Sequence, residues 1–331
     1  MISREDARGR NSTAGGRRRA RRAMTDGTSV RSPTVSVVIP TLNAAPFLPR
    51  IFAAIFSQGP TTPIEVVLVD SMSTDATHSI AATDSRVRVV PIANFSHGRA
   101  RNLGAREAKG EIVVLLTQDA MPADGKWLSG LLAPFSDPQV VASYSRQVPN
   151  ADANPMERFF LLKRFPPGPP VRRVKRGDAP LQLEDVFFSN VSAAIRRDAL
   201  LRHPFDEGLI MSEDQQFSRD VIAAGHAVVY QPDSVVVHSH NYSLATCFRR
   251  YFDSVYSLTL IFPRHGIGTT ASMGASYLLA EVWYMTRNHP LSLPRYFFYN
   301  IAKIGGSLAA HLADRLPRSV VRALSLHRYH W

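Results

Sequence analysis

The feature that most constrains the fold is an alternation, from residue 34 onward, of short β-branched runs with segments of helical periodicity. Four apolar runs are predicted to be buried strands, at 35–39, 65–70, 87–92 and 111–116. Apolar residues recur three and four positions apart in 46–57, which predicts a helix, and another helix is predicted at 98–108. A short helix is predicted to open at Ser73, because small polar residues there are suited to cap it. Strands that alternate with helices predict an α/β fold with a mostly parallel, doubly wound sheet.

The composition is that of a globular chain and excludes several classes of protein. The 331 residues are 45% hydrophobic and 20% charged, enough apolar material for a buried core. Cys247 is the only cysteine, which excludes an internal disulfide and a cysteine-built zinc site and favours a reducing, cytoplasmic compartment. No run approaches the ~18 apolar residues of a membrane span, and no apolar stretch follows the N-terminal arginines. We therefore expect neither a secretory signal nor a membrane-spanning segment.

Half of the net charge of +12 lies in the first 33 residues. This segment holds nine arginines against three acidic residues and almost no large apolar side chains. It cannot bury enough surface to offset its ordering entropy, so residues 1–33 are predicted to be a disordered basic tail. Its role is open between a tether to anionic lipid, a nucleic-acid arm, and no function, since Met24 is an alternative start. Because no aromatic residues lie among the arginines, we expect no nucleic-acid partner.

The second half of the chain is predicted to hold a long loop, then mixed elements, then helices. Residues 144–185 are predicted to be irregular and to form a lid, because they include a proline-rich and a basic stretch. A helix is expected at 213–224, with short strands at 227–230 and 235–237. Beyond residue 241, aromatic side chains are interrupted by charged ones, which is typical of amphipathic helices. These helices either pack on the core or a second subunit, or lie on a membrane surface.

Polar side chains stand where three predicted strands end, and doubly wound sheets bind ligands at that edge. Pro40, Thr41 and Asn43 follow the first strand, Asp70 ends the second, and Asp119 follows the fourth. Asp70 suits the polar edge of a nucleotide, although strand-end aspartates are also common turn caps. The Asp119 carboxylate is a ligand type that hard divalent cations prefer, with a turn cap as the alternative.

Three further groups are candidates for chemistry. Glu213 and Asp214 open a predicted helix, either as a cap favoured by the helix dipole or as a general base with a supporting acid. His238 and His240 follow a short strand, so their rings point the same way if the strand continues, as in a pair that binds a metal or phosphate. Arg101 lies near a helix N-terminus, where an anionic ligand is favoured.

The order of these motifs resembles the family 2 glycosyltransferases of the GT-A fold, over residues 34–240. The series is strand–Pro-Thr-Leu-Asn, strand–Asp-Ser-Met-Ser-Thr-Asp, helix–Arg-Asn-Leu-Gly, strand–Thr-Gln-Asp, and Glu-Asp on a later helix. Shorter motifs resemble the bacterial rhamnosyltransferase branch, which builds O-antigen and related cell-surface glycans. They are Phe-Ser-His-Gly with Arg-Asn (95–102), Thr-Gln-Asp-Ala-Met-Pro (117–122), Ser-Arg-Gln-Val-Pro (145–149), His-Ser-His-Asn-Tyr-Ser (238–243) and the terminal Tyr-His-Trp.

The resemblance implies a Rossmann-like nucleotide-diphospho-sugar transferase domain at 34–240, followed by a helical C-terminal region at 241–331. It implies Asp214 as the catalytic base and Glu213 as its neighbour. It also places nine residues at the nucleotide and donor site: Pro40, Thr41, Asn43, Asp70, Ser73, Asp75, Arg101, Asn102 and Gln118.

The implied metal site departs from the family pattern. Asp119 matches the surviving carboxylate of an Asp-x-Asp motif, but Thr117 stands where the first aspartate usually lies. One carboxylate and the donor diphosphate still suffice to hold Mg²⁺ with water ligands, and His238 or His240 is a candidate further ligand. The implied cofactor is therefore a divalent cation, Mg²⁺ or Mn²⁺.

The implied activity is an inverting transfer of a sugar, with L-rhamnose from dTDP-β-L-rhamnose as the first candidate. The implied acceptor is a glycan or lipid-linked glycan in cell-surface polysaccharide synthesis. A cytoplasmic enzyme at the inner face of the membrane is expected, with a homodimer as an open alternative. Two other functions stay open: a UDP-hexose-dependent enzyme of the same fold, and a nucleotide-sugar-binding or scaffold subunit without catalysis.

Overall fold

The computed structural model describes residues 35–59, 63–263 and 267–331; the basic tail predicted at 1–33 lies outside them. The strands of the described part are β1 (Val35–Thr41), β2 (Ile64–Asp70), β3 (Val87–Pro91), β4 (Ile112–Leu116), β5 (Met121–Pro122), β6 (Val140–Val148), β7 (Val171–Arg173), β8 (Ser192–Arg196) and β9 (Ala227–Val237). The helices are α1 (Leu48–Phe56), α2 (Thr77–Ala81), α3 (His97–Glu107), α4 (Trp127–Leu132), α5 (Pro155–Arg164), α6 (Leu183–Val186), α7 (Arg197–Arg202), α8 (Glu213–Ala223), α9 (Leu244–Ile261), α10 (Ile267–Asn288), α11 (Leu293–Ala310) and α12 (Arg318–Leu324).

The nine strands of the described residues form one sheet in the order β3-β2-β1-β4-β8-β6-β9-β5, with β7 paired to β9. The pairings give β1, β2, β3, β4, β6 and β9 one direction, whereas β5, β7 and β8 run opposite to them. The predicted mostly parallel sheet is therefore confirmed. The strand order reverses at β1, which lies between β2 and β4, and this switch opens a crevice at the carboxyl ends of the strands.

Helices cover both faces of the sheet because successive strand residues point to opposite sides. On one face, Val38 belongs to a buried cluster with residues of α3, α7 and α8. On the other, Val37 and Ile39 pack with residues of α1, α2 and α4. Gly104 allows α3 to approach β1 closely, because a Cβ there would stand 2.2 Å from Val38 Cγ1. Helix α3 is therefore packed directly against the parallel strands of the sheet.

The C-terminal region is helical, as predicted, and has its own buried contacts. Phe252 of α9 lies in a cluster with Ala310 and Val321 from α11 and α12. The backbones of α9 and α11 meet at Gly306, where a Cβ would stand 2.2 Å from the Phe248 carbonyl oxygen. None of the helices in the described part of the chain combines the length and apolar character that a membrane span requires.

The predicted irregular lid over 144–185 is wrong for much of its length. β6 extends into it, and β7, α5 and α6 lie within it. Helix α5 begins where the Asn154 side chain accepts a hydrogen bond from the Glu157 N–H, and its Phe159 and Leu161 side chains are buried. Asn-Pro at 154–155 marks a helix start as well as a turn. Because a proline-rich stretch follows nearby, the turn interpretation was chosen and the helix was missed.

Two other predicted boundaries differ from the structure. The two short strands expected at 227–230 and 235–237 are one strand, β9, in which a register shift accommodates the residues after Gln231. The helix expected to open at Ser73 begins at Thr77, because Asp75 instead accepts the Thr77 N–H within the loop.

Candidate active site

The carboxylate of Asp70 is held by four hydrogen-bonding groups where β2 ends. Its Oδ1 accepts from Thr41 Oγ1 at 2.9 Å and from Ser73 Oγ at 2.5 Å, and its Oδ2 accepts from the Ser73 N–H at 2.9 Å and faces His78 Nε2 at 2.8 Å. Burial alone would raise the pKa of Asp70, but the hydrogen bonds outweigh burial and lower it. Asp70 therefore stays ionised and fixes the half-exposed His78, a residue that sequence reasoning missed.

Other predicted donor-site residues join the strand-end loops to one another. The Asn43 N–H donates to Ser73 Oγ at 2.8 Å, and Asp75 accepts a backbone N–H from the loop after β1 at 3.0 Å. Gln118, after β4, accepts from the Leu42 N–H at 2.8 Å and donates to the Leu42 carbonyl oxygen at 3.2 Å. These side chains are thus brought together, and they order the loops that border the crevice.

Backbone strain is concentrated at the same loops. Among the described residues, the non-glycine residues with positive φ are Asn43 (50°), Met72 (65°) and Ser212 (64°). Asn43 is itself a predicted donor-site residue, and Met72 and Ser212 directly precede Ser73 and Glu213. This left-handed conformation is costly for a side chain larger than glycine. Such strain persists where the surrounding structure imposes it, and it is typical of ligand sites.

Asp119, His238 and His240 come together at the carboxyl end of β4, as the sequence predicts for a metal site. Their ligand atoms all lie within 4.8 Å of one another. The Nε2 atoms of His238 and His240 lie 3.6 Å and 3.7 Å from the two carboxylate oxygens of Asp119. Burial lowers the pKa of His238 to about 4 despite the nearby Asp119 charge, and it lowers the pKa of His240 as well. Both rings are neutral at pH 7, the form that binds a metal.

Residues around this group hold the ligands in place. The Nδ1 of His238 lies 3.0 Å from Gln147 Oε1, so it carries the proton and leaves Nε2 free toward Asp119. The His240 ring stacks on Tyr242, with ring centroids 5.0 Å apart. Gln147 and Tyr242 were not among the predicted site residues. They stand inside the Ser-Arg-Gln-Val-Pro and His-Ser-His-Asn-Tyr-Ser motifs, which were therefore the signal that could have found them.

The first acid of α8, Glu213, is buried in an ion pair with α3. Arg101 Nη1 donates to Glu213 Oε1 at 2.9 Å and to the His97 carbonyl oxygen at 3.2 Å. Asn190 Nδ2 also donates to Glu213 Oε1, at 3.3 Å. Burial opposes ionisation of Glu213, but the Arg101 charge prevails and lowers the pKa. Glu213 is therefore a fixed negative charge beside the next residue along the helix.

Asp214 is the second acid of α8, and its environment raises its pKa. Desolvation, with the neighbouring Glu213 charge as the next cause, raises the pKa of Asp214 to about 7. Its Oδ2 accepts from the Asn190 N–H at 3.3 Å, and its Oδ1 accepts from the Gln215 N–H at 2.9 Å. A carboxyl group with a pKa near the working pH is suited to proton transfer.

Ser189 and Asn190, just before β8, connect two groups of side chains. These are the Asp–His–His group (Asp119, His238 and His240) and the acid pair (Glu213 and Asp214). Gln147, which holds His238, donates to Ser189 Oγ at 2.9 Å. The next residue, Asn190, hydrogen-bonds both acids of α8. Two groups far apart in sequence thus lie on either side of one short segment. Neither Ser189 nor Asn190 was predicted, because nothing local distinguishes them from other polar loop residues.

Asn102 has hydrogen bonds that hold a loop. Its Nδ2 donates to the Phe205 carbonyl oxygen at 2.9 Å and to Glu207 Oε1 at 3.1 Å, and its Oδ1 accepts from the Phe205 N–H at 3.0 Å. Arg99 pairs with the same Glu207 at 3.0 Å. The arginines that open α3 are therefore paired with acids of the protein, whereas the sequence alone had suggested a free anion site.

The residues present fit a divalent cation. A carboxylate and two neutral imidazoles converge, and one imidazole is held in the required tautomer. Thr117 Oγ1, on the preceding turn, is buried without a hydrogen-bond partner among the described residues. Carboxylate oxygens and imidazoles suit Mn²⁺ as well as Mg²⁺, and the remaining ligand positions suit a diphosphate.

The switch in strand order, the ordered polar loops at the strand ends, the Asp–His–His group and the acid pair of α8 match a glycosyltransferase of the GT-A fold. The chain belongs to glycosyltransferase family 2, because the family model for glycosyl transferase family 2 matches residues 36–203. The family predicted from the motifs is confirmed.

Relatives along almost the whole chain support this assignment. The O-antigen chain rhamnosyltransferase RfbN of Salmonella typhimurium is 32% identical over 303 residues, which cover 90% of this chain and 96% of the relative. The O-antigen chain rhamnosyltransferase WbaN of Salmonella anatum is 31% identical over 305 residues, with the same coverage of 90% and 96%. The chain is therefore similar to rhamnosyltransferases of polysaccharide synthesis, as the shorter motifs indicated.

A solved structure confirms the fold. The mannosyltransferase PcManGT from Pyrobaculum calidifontis, in complex with GDP-Man and Mn²⁺, has a TM-score of 0.58 at 22% identity. The match covers 86% of this chain and 88% of that one.

Proposed function

We propose that this enzyme transfers L-rhamnose from dTDP-β-L-rhamnose to a hydroxyl group of a glycan or lipid-linked glycan, with inversion at the anomeric carbon. The observation that carries the proposal is Asp214, a carboxyl group with a pKa raised to about 7 that is linked through Ser189 and Asn190 to the Asp–His–His group. The choice of L-rhamnose is supported by the two Salmonella relatives, both described as O-antigen chain rhamnosyltransferases.

In the proposed reaction, Asp214 takes the proton of the acceptor hydroxyl group as its oxygen attacks the anomeric carbon. A new C–O bond forms on one face of the sugar while the bond to the diphosphate oxygen breaks on the other, as in inverting glycoside chemistry. The electron pair leaves with the nucleoside diphosphate, and a β-linked L-rhamnosyl donor gives an α-linked product. Glu213, kept ionised by Arg101, raises the proton affinity of Asp214.

The leaving group is expected to bind on the opposite side of the Ser189–Asn190 segment. Asp119, His238 and His240 would hold a divalent cation, which when bound supplies positive charge for the departing diphosphate. Gln147 fixes the His238 ring for this purpose. Pro40, Thr41, Asn43 and the residues around Asp70 are proposed to border the nucleoside.

The donor is tested by thermal unfolding with dTDP-rhamnose, UDP-glucose and GDP-mannose, each with and without Mg²⁺ or Mn²⁺. A ligand that binds only the folded state at 100 times its Kd adds about 2.7 kcal/mol of stability. We expect a rise in Tm with dTDP-rhamnose that depends on the cation. A preference for UDP-glucose would keep the fold and mechanism and replace the donor, whereas no response from the folded protein would favour a scaffold subunit without catalysis.

We further propose that the enzyme works at a membrane face through α10 and α11. Large apolar side chains on the outer face of α11 are exposed, at 61% for Phe297, 52% for Ile301, 51% for Ile304 and 47% for Leu308. They recur at four- and three-residue spacing and thus form one stripe. Trp283 of α10 is also exposed, at 63%. An apolar patch of this kind is typical of an interaction surface.

The charge around this stripe favours an anionic lipid surface over a second protein chain. Residues 282–331 contain seven Lys or Arg and one acidic residue, Asp314. The preceding acid, Glu281, is buried and paired with Lys303 at 3.2 Å. Basic residues gain about 1 kcal/mol each near anionic lipid, and aromatic side chains are favoured at the headgroup level. A lipid-linked acceptor would lie at the same surface.

Membrane binding is tested by co-sedimentation of the full chain with vesicles. We expect binding to phosphatidylglycerol vesicles that weakens with salt, and little binding to phosphatidylcholine vesicles. The double variant Phe297→Ser/Ile301→Ser is expected to lose most of this binding, whereas Leu162→Ser/Leu201→Ser, at exposed leucines elsewhere, is expected to retain it. Salt-independent self-association abolished by the first variant would instead identify the stripe as a dimer interface.

A further inference from the structure

The last seven residues of the chain are held against α9. The buried Asp253 of α9 accepts the backbone N–H groups of Leu326 at 2.9 Å and His327 at 3.1 Å, and the same Oδ2 lies 3.1 Å from His327 Nδ1. Trp331 packs on Tyr256, with ring centroids 4.8 Å apart. The C-terminal segment, residues 325–331, is thereby fixed at both ends.

This segment reaches the acid pair through one contact between two histidines. His327 Nε2 lies 3.4 Å from His97 Nε2, and the rings meet edge to face. His97 is the first residue of α3, and its carbonyl oxygen accepts from Arg101, which pairs with Glu213. A continuous series of polar contacts therefore runs from Asp253 to the neighbour of the proposed base.

Each ring nitrogen in the contact has a defined role. The Asp253 carboxylate fixes the proton of His327 on Nδ1, which leaves His327 Nε2 as an acceptor. His97 then donates from its Nε2. Burial is the main cause that lowers the pKa of His97, to about 4, against the opposing charge of Glu213, and Arg101, His327 and Arg250 lower it further. The His97 ring is therefore neutral at pH 7 and adds no charge beside Glu213.

We propose that His327 is a positioning residue of the active site: through His97 it holds the start of α3, so that Arg101 stays paired with Glu213 and Asp214 keeps its desolvated environment. The C-terminal segment thus completes the acid pair, although it lies more than 100 residues further along the chain. The proposal rests on the proposed role of Asp214. Glu213 and Arg101 are the charged groups that face Asp214, and neither belongs to the C-terminal segment.

The test compares His327→Ala with His327→Gln, whose amide stands near the position of the ring Nε2, and with His330→Ala as a matched control in the same segment. The first readout needs no substrate: ¹³C NMR titration of the Asp214 carboxyl group in the full chain. We expect His327→Ala to lower that pKa by one unit or more, because water gains access beside Glu213, whereas His327→Gln and His330→Ala keep it. The second readout is transfer activity, in which His327→Ala is expected to lower kcat at least tenfold with little change in the donor KM.

The outcomes separate this proposal from the function on which it rests. An unchanged Asp214 titration in His327→Ala would overturn the positioning role, and so would an equal shift in His330→Ala. A lower Tm with unchanged titration and unchanged kcat would mean that the contact serves stability alone. A shifted titration in a protein that transfers none of the tested sugars would keep the positioning role and reject the proposed donor.

Discussion

Asp214→Asn is expected to lower kcat by about 10²–10⁴-fold while the donor Kd stays within twofold of the wild type. The amide keeps the shape of the side chain but cannot take the acceptor proton. Donor binding is proposed to depend on the strand-end loops and the Asp–His–His group, which this change leaves intact. Single-turnover transfer and donor titration on the same preparation measure both quantities. Equal losses of turnover and donor affinity would contradict the role of Asp214 as the base.

The same variant supplies its own control for folding. The pKa of Asp214 is raised in the folded protein, so its ionisation costs stability, and this cost grows as the pH rises from about 4 and is complete above about 7. Asn cannot ionise, so Asp214→Asn is expected to unfold at a higher Tm than the wild type at pH 8. The difference is expected to vanish near pH 4. A lower Tm at pH 8 would point to a damaged fold rather than a missing base.

The raised pKa also predicts the pH dependence of the wild type. The base acts in its ionised form, so kcat/KM is expected to rise with pH and to level off above about 7. An ordinary aspartate would already be ionised at pH 5 and would give a flat profile between pH 5 and 8. Rates measured over this range at saturating cation distinguish the two cases.

Asp119→Asn is expected to lower kcat at least 10²-fold and to abolish the cation-dependent part of the donor-induced rise in Tm. Asp119 is the single carboxylate of the Asp–His–His group, because Thr117 replaces the other acid of the family motif. His238→Ala is expected to act in the same direction and less strongly, since it removes a neutral ligand. Activity and Tm measured across a Mn²⁺ titration provide the check.

The matched control for the metal site is Asp178→Asn, at an exposed aspartate outside the site. It is expected to behave as the wild type in both measurements. With the donor present in both samples, the wild type treated with EDTA is expected to have the same Tm as Asp119→Asn. A cation-dependent rise in Tm that survives in Asp119→Asn would mean that the cation binds elsewhere.

The fold class and the residues at the strand ends were predictable from the sequence. Continuous apolar runs such as 65–70 and 111–116 form parallel strands, because a strand buried on both faces does not alternate apolar with polar residues. Once these strands are recognised, the positions of Asp70 and Asp119 in the sequence place them at the carboxyl ends. His238 and His240 were predictable for the same reason, since they directly follow a strand of that sheet. The order of these short motifs was sufficient to identify the family.

The sequence was least informative where the local signals competed. The proline-rich stretch after residue 165 predicted an irregular lid over the whole of 144–185, yet α5 forms directly before that stretch and buries Phe159 and Leu161. Gln147 and Asn190 were not found because their roles come from partners far along the chain. Polar loop residues of this kind have no distinguishing periodicity.

The chemistry of the acids and histidines depends on how remote segments pack, which the sequence did not reveal. The sequence left Glu213–Asp214 open between a helix cap and a base. In the structure the Arg101 charge outweighs burial and lowers the pKa of Glu213, whereas desolvation raises the pKa of Asp214. The tertiary structure likewise brings His327 into contact with His97, 230 positions away along the chain. A pKa or a hydrogen bond depends on the distance between charges and on desolvation. Both are set when remote segments pack together, whereas strand and helix formation follows from neighbours along the chain.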